Sequence, residues 1–98
     1  MGNSASLKSK PDVHVRLPGV LVDLFPEATR DVAVRASNVR ELIEALDALW
    51  PGMADRLRDS RPAIRKHINI FIDGERAKLS TPLAPGSQIY ILTAISGG

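Results

Sequence analysis

Between Asn38 and Gly52 the chain carries one long amphipathic stripe, and that stripe dictates what must lie around it. Val39, Leu42, Ile43, Leu46, Leu49 and Trp50 fall at i, i+3, i+4, i+7, i+10 and i+11. That is the period of an α-helix with one apolar side. Arg40, Glu41, Glu44 and Asp47 take the wet side. Asn38 is placed to cap the amide three residues on, and Glu41 to reach back, as in a capping box. Pro51-Gly52 stops the helix. A shorter helical turn, Met53 to Arg58, sets Met53 and Leu57 at i and i+4. A single helix cannot bury its own stripe, so the flanking segments must supply a sheet.

They have the pattern for it. Val13 to Leu17 alternates apolar and polar, as a half-buried strand does. Pro18-Gly19 bends or bulges it, and Val20, Val22 and Leu24 extend the apolar row. After a turn over Pro26 to Arg30, a second strand over Asp31 to Ala36 puts Val32, Val34 and Ala36 on one face. Together these make a hairpin. Beyond an irregular stretch from Arg61-Pro62, a strand over His67 to Asp73 sets Ile68, Ile70 and Ile72 on one face, Asn69 and Phe71 on the other. Asp73-Gly74 is a hairpin turn, with a short return strand over Glu75 to Lys78. Leu79 to Ala84 reads as loop, and Pro85-Gly86 as the middle of a type II turn. Gln88 to Ile95 is apolar on both faces, which makes it a central strand. The expected class is α+β: a mixed sheet of four to five strands packed on one helix.

A chain of 98 residues holds one domain, too small for a large enclosed active site. Residues 1–12 read as a disordered lead, 13–95 as the folded domain, and 96–98 as a flexible Ser-Gly-Gly tail. The absence of cysteine excludes disulfides, thiolate metal sites and cysteine nucleophiles. His14 and His67 are too few for a histidine-only metal site, so no metal is expected. The net charge of +2 is mild. The basic run Arg56, Arg58, Arg61, Arg65, Lys66, His67 lacks the interleaved aromatics of a nucleic-acid groove, so no nucleic-acid partner is expected. No apolar run spans a membrane, and the first ten residues lack a signal-peptide core. The expected location is the cytoplasm.

The informative feature is Gly97-Gly98, closely following an apolar strand. Glycine tolerates any backbone angle, so two in a row let a chain end enter a narrow tunnel and present its carboxylate. The plain alternative is a frayed terminus with no role.

With these residues on the page, the chain resembles the ubiquitin-like sulfur carriers. These comprise the small subunit of molybdopterin synthase and the carriers of thiamine and cysteine biosynthesis. The resemblance rests on Val13 to Leu17, on Asn38-Val39-Arg40-Glu41-Leu42 and on Asn69 to Glu75. Thr81-Pro82-Leu83, Gln88 to Ile95 and Gly97-Gly98 complete it, so that it covers about residues 13–98. Ala84-Pro85-Gly86-Ser87 departs from the acidic turn common in relatives, and Thr93 stands where many have proline. The resemblance implies a β-grasp fold and a protein cosubstrate, not an enzyme. It implies that the Gly98 carboxylate is adenylated by a partner resembling ubiquitin-activating enzymes. That partner consumes ATP, and the carrier itself binds no cofactor. Sulfur then replaces adenylate, and the thiocarboxylate serves a sulfur-accepting synthase. Ser96 and Gly97 form the rest of the tail, and Leu92, Phe71 and Ala94 are the expected partner-binding residues; the plain alternative is that Leu92 and Phe71 are core.

The segment Trp50 to Asp59 resembles an extension in the cysteine-biosynthesis carriers and favours that branch, or a homocysteine-forming one. Molybdopterin and thiamine synthesis remain open. Two other readings stand beside it: a ubiquitin-like modifier conjugated through Gly98, and a ubiquitin-like binding module with an inert tail.

Overall fold

The computed structural model describes residues 10–59 and 64–93. Five strands form one sheet: β1 (Asp12–Arg16), β2 (Asp31–Arg35), β3 (Ile68–Ile72), β4 (Glu75–Arg76) and β5 (Gln88–Thr93). Three helices join them: α1 (Gly19–Leu24), α2 (Val39–Leu49) and α3 (Met53–Leu57). The strand order is β2-β1-β5-β3-β4. β1 runs antiparallel to β2 and parallel to β5, and β3 runs antiparallel to both β4 and β5. The sheet is therefore mixed, and β5 is central, as its apolar pattern leads one to expect.

The core lies between the sheet and α2. Val13, Val15, Ile68, Ile70, Ile89 and Ile91 are buried on the inner face. Val39, Leu42, Ile43 and Leu46 meet them from α2, each fully shielded. Burying such an aliphatic side chain stabilises the fold by about 1.5–3 kcal/mol. Trp50 closes the far end of the stripe, but Leu49 does not belong to it and is half exposed. Met53, Ala54 and Leu57 of α3 extend the same core.

Local chemistry fixes the joints. Asn38 Oδ1 accepts from the Glu41 amide at 2.9 Å, while Glu41 Oε1 accepts from the Ser37 amide at 2.8 Å. The reciprocal cap thus reaches one residue further back than the simplest capping box. At the other end, Asp47 Oδ1 accepts from Gly52 and Ala54 amides, folding α3 back against α2. Asp73 and Gly74 both take positive φ, 49° and 91°, as a type I′ turn requires. Gly86 takes φ 80°, and Ser87 N donates to Ala84 O at 3.0 Å, closing the type II turn.

A second expectation fails. Val20, Val22 and Leu24 do not extend β1; Gly19–Leu24 is helical. Pro18 caps the turn in an extended conformation, and its carbonyl accepts from Leu21 and Val22 amides. Leu21 is then the buried residue, while Val20 and Leu24 face solvent. Alternation over five residues fits a short helix as well as a strand, and Leu21 decides between them by burying.

Candidate functional site: the open sheet face beside the chain end

α2 covers one face of the sheet, and among the described residues no element covers the other. β5 presents Gln88, Tyr90 and Leu92 to that open face, because side chains alternate along a strand. Tyr90 and Leu92 are 44% and 45% exposed. Across the register, Tyr90 lies opposite Phe71 of β3 and Arg16 of β1, and Leu92 lies opposite Asn69. Phe71 is half buried. Three apolar side chains from two adjacent strands therefore form one patch at the middle of the sheet. Most water-facing sheet positions are polar, so such a patch is a candidate interface.

Polar groups frame it. Arg16 Nη1 contacts both Asp31 carboxylate oxygens at 3.1 Å, and His14 Nε2 lies 3.4 Å from Asp31 Oδ1. On the other side Arg76 donates through Nη2 to Asn69 Oδ1. Two guanidinium groups thus flank the apolar centre, one on β1 and one on β4. An apolar core with a charged rim is the usual anatomy of a protein interface, and aromatic and arginine side chains are its strongest anchors.

Leu92 and Phe71, expected from the sequence to bind a partner, are brought onto this one face. Tyr90 was not singled out, yet it shares their face and is as exposed as Leu92. The period-two pattern already placed Tyr90 with Leu92; what the sequence withheld was that no layer of the described residues covers them. Arg16 and Arg76 were also missed, since only the strand order brings them to the patch. Ala94, Ser96, Gly97 and Gly98 lie outside the described residues. β5 is the strand that leads to them, and Thr93 is five residues before Gly98.

Of the basic run, Arg56, Arg65 and His67 line one shallow pocket, and Arg61 lies outside the described residues. Arg58 lies 3.9 Å from Glu44, and Arg65 donates to the Asp55 carbonyl. Among the described residues no three of His, Asp and Glu converge as a metal site, and no helix is long and apolar enough to cross a membrane.

The ThiS family model matches residues 15–98, a range that includes the open-face strands β5 and β3 and the terminal Gly-Gly. The sulfur carrier protein CysO of Mycobacterium bovis is 28% identical over 93 residues, covering 89% of this chain and 99% of that protein. The crystal structure of Mycobacterium tuberculosis CysO superposes with a TM-score of 0.77 at 26% identity, covering 85% of this chain and 99% of the other. SAMP1 from Haloferax volcanii superposes with a TM-score of 0.75 at 24% identity, covering 89% and 99%. The second of these structures shares the fold, a ubiquitin-like β-grasp. A match over most of the chain, through the glycine end and joined to the likeness to a sulfur carrier matched over 99% of its own length, places this protein in the ThiS family of sulfur carriers.

Proposed function

We propose that the chain carries sulfur as a thiocarboxylate on Gly98, and that it docks on its enzymes through the Tyr90–Leu92–Phe71 face. The observation that carries this reading is the family match, which runs from residue 15 to Gly98 and includes the strand that builds the open face. The carrier supplies no acid, base or metal. Its part is to hold a glycine carboxylate and to offer a docking face.

The chemistry balances without redox change. A Gly98 carboxylate oxygen attacks the α-phosphorus of ATP in an activating enzyme, and pyrophosphate leaves. Hydrosulfide attacks the acyl carbon of the adenylate, AMP leaves with the oxygen, and the sulfur's proton goes to solvent. The thiocarboxylate sulfur is then the nucleophile presented to an acceptor in a synthase. A bare carboxylate is a poor electrophile, so adenylation supplies the leaving group. Glycine at the last two positions removes side chains that would block entry to a partner's tunnel.

Cysteine or homocysteine formation is the favoured pathway. It is supported by the Trp50 to Asp59 segment, which forms the α2–α3 corner, and by the 28% identity to CysO over 93 residues. A second reading, conjugation to lysines as a modifier, draws on the SAMP1 likeness, which is one of fold.

The test is an intact mass after incubation with ATP, a sulfide source and extract of the host cell. One oxygen exchanged for one sulfur, lost on deleting Gly98, establishes the carrier. Unchanged mass with tail-dependent high-mass conjugates favours the modifier. Unchanged mass without conjugates leaves an inert-tail binding module.

A further inference from the structure

The sheet has one long free edge, and its residues are self-complementary. Among the described residues β2 is the outermost strand and pairs only with β1. Leu17 N donates to Arg30 O at 2.7 Å and Ala36 N to Pro11 O at 3.1 Å, so residues 30 and 36 turn their backbone toward β1. Backbone direction alternates along an antiparallel strand. Val32 and Val34 therefore also face β1, and Asp31, Ala33 and Arg35 direct their N–H and C=O groups outward. Thr29 Oγ1 donates to one of those carbonyls, Asp31 O, at 2.8 Å, and that oxygen retains a second lone pair.

We propose that this edge pairs antiparallel with the same edge of a second copy, about a two-fold axis through Ala33. The sequence of β2 is Asp31-Val32-Ala33-Val34-Arg35. In this register each Asp31 faces Arg35 of the second copy, each Val32 faces Val34, and Ala33 faces itself. Both charges stand on the open face, with side chains 45% and 72% exposed. Each also has a partner within its own chain, Arg16 for Asp31 and Asp12 for Arg35. The intermolecular pairs therefore extend an alternating row: Arg16, Asp31, Arg35, Asp12. A parallel pairing would instead set like charges together, and a one-residue slip would set the outward backbone groups of one copy against residues of the other that turn toward β1.

A second feature points to the same occupant. Ala45, Ala48 and Leu49 of α2 and Val34 of β2 line a shallow apolar groove along this edge. Leu49 is 50% exposed there, although it ends the helix that builds the core. Two-fold pairing puts both grooves on the same side of the joined sheet, next to one another, so Leu49 gains apolar cover. The interface is small, below about 1,200 Å², so the association is weak and concentration-dependent. β1 separates β2 from β5, and the Tyr90–Leu92 face stays open in both copies. The pairing does not depend on sulfur transfer.

The experiment is sedimentation velocity on the full chain from about 10 μM to about 1 mM, where weak edge pairing titrates. The weight-average mass is expected to rise from 10.6 kDa toward twice that value. Asp31→Lys and Arg35→Glu each set two like-charge pairs across the axis and weaken self-association about tenfold or more. An equimolar mixture of the two restores opposite charges at every pair, and association returns to near the wild-type strength. Loss of folding cannot imitate that rescue. Ala33→Pro, which removes an outward N–H that β1 does not use, abolishes pairing while circular dichroism stays unchanged. A wild-type chain that is monomeric at the highest concentration overturns the proposal. So does an association that the charge variants leave intact, that their mixture fails to rescue, or that Leu92→Asp abolishes.

Discussion

Phe71 on β3 and Tyr90 on β5 lie opposite one another in the register, on the sheet face that α2 leaves bare. Two strands that bury isoleucines on one side thus spend their other side on an aromatic pair next to Leu92. A covering layer would make these residues core. Without one they form an exposed apolar patch backed by Ile70, Ile89 and Ile91, each at most 1% exposed. The exposure of the patch and the burial of the inner face have the same cause, the period-two alternation of a strand.

Leu92→Asp and Tyr90→Ser are expected to separate binding from stability. Both side chains are nearly half exposed, so unfolding free energy should move by only about 0.5 kcal/mol. Affinity for the activating enzyme should fall at least about tenfold, the size of a central interface anchor. Urea denaturation and titration calorimetry with that enzyme give the two numbers. A large loss of stability without loss of affinity would make the face structural.

The helix stripe makes a sharper test, because its members differ in burial. Leu46 is fully buried, and Leu46→Ala should cost about 2–5 kcal/mol, from lost burial and the cavity left behind. Leu49 carries the same side chain one turn on but is half exposed, and Leu49→Ala should cost under about 1 kcal/mol. Urea midpoints at a fixed, dilute concentration compare the two.

What the sequence made legible follows from how local each signal is. Asp73-Gly74, Pro85-Gly86 and Asn38 announce themselves because their chemistry acts over two to four residues. α2 is legible because its stripe runs for three turns. The segment Val20 to Leu24 is not, since over so few residues the helical and strand periods overlap. The exposure of Tyr90 and Leu92 is not legible either. An apolar strand reads the same whether a second layer covers it or a partner does, and that distinction is non-local. Arg16 and Arg76 reach the patch only through the strand order, which brings β1 beside β5 and β4 beside β3.

Glycine positions give a third test. Gly52 takes φ 103°, and an added Cβ would stand 3.3 Å from the Phe25 ring. Gly86 takes φ 80° with nothing within 4 Å of an added Cβ. Gly86→Ala should therefore cost only the left-handed backbone penalty, about 1–2 kcal/mol. Gly52→Ala should cost more, because Phe25 must shift as well. Equal losses in chemical denaturation would show that the ring yields freely.

The α2 cap has a pH signature. The hydrogen bond from the Ser37 amide, assisted by Lys10 at 3.6 Å, holds the Glu41 carboxyl below its ordinary value of 4.5. A depressed pKa in the folded state means the charged form favours folding. That contribution is present above the ordinary value and is lost as pH falls through the folded value. Glu41→Gln should flatten the part of the stability profile below pH 4.5 and leave its shape near neutrality unchanged. Asn38→Ala, which removes the other half of the cap, should instead lower stability by about 1 kcal/mol across the whole pH range. Thermal or urea unfolding from pH 7 downward separates the two. An acid limb that Glu41→Gln leaves as steep as in the wild type would move the titrating group elsewhere in the chain.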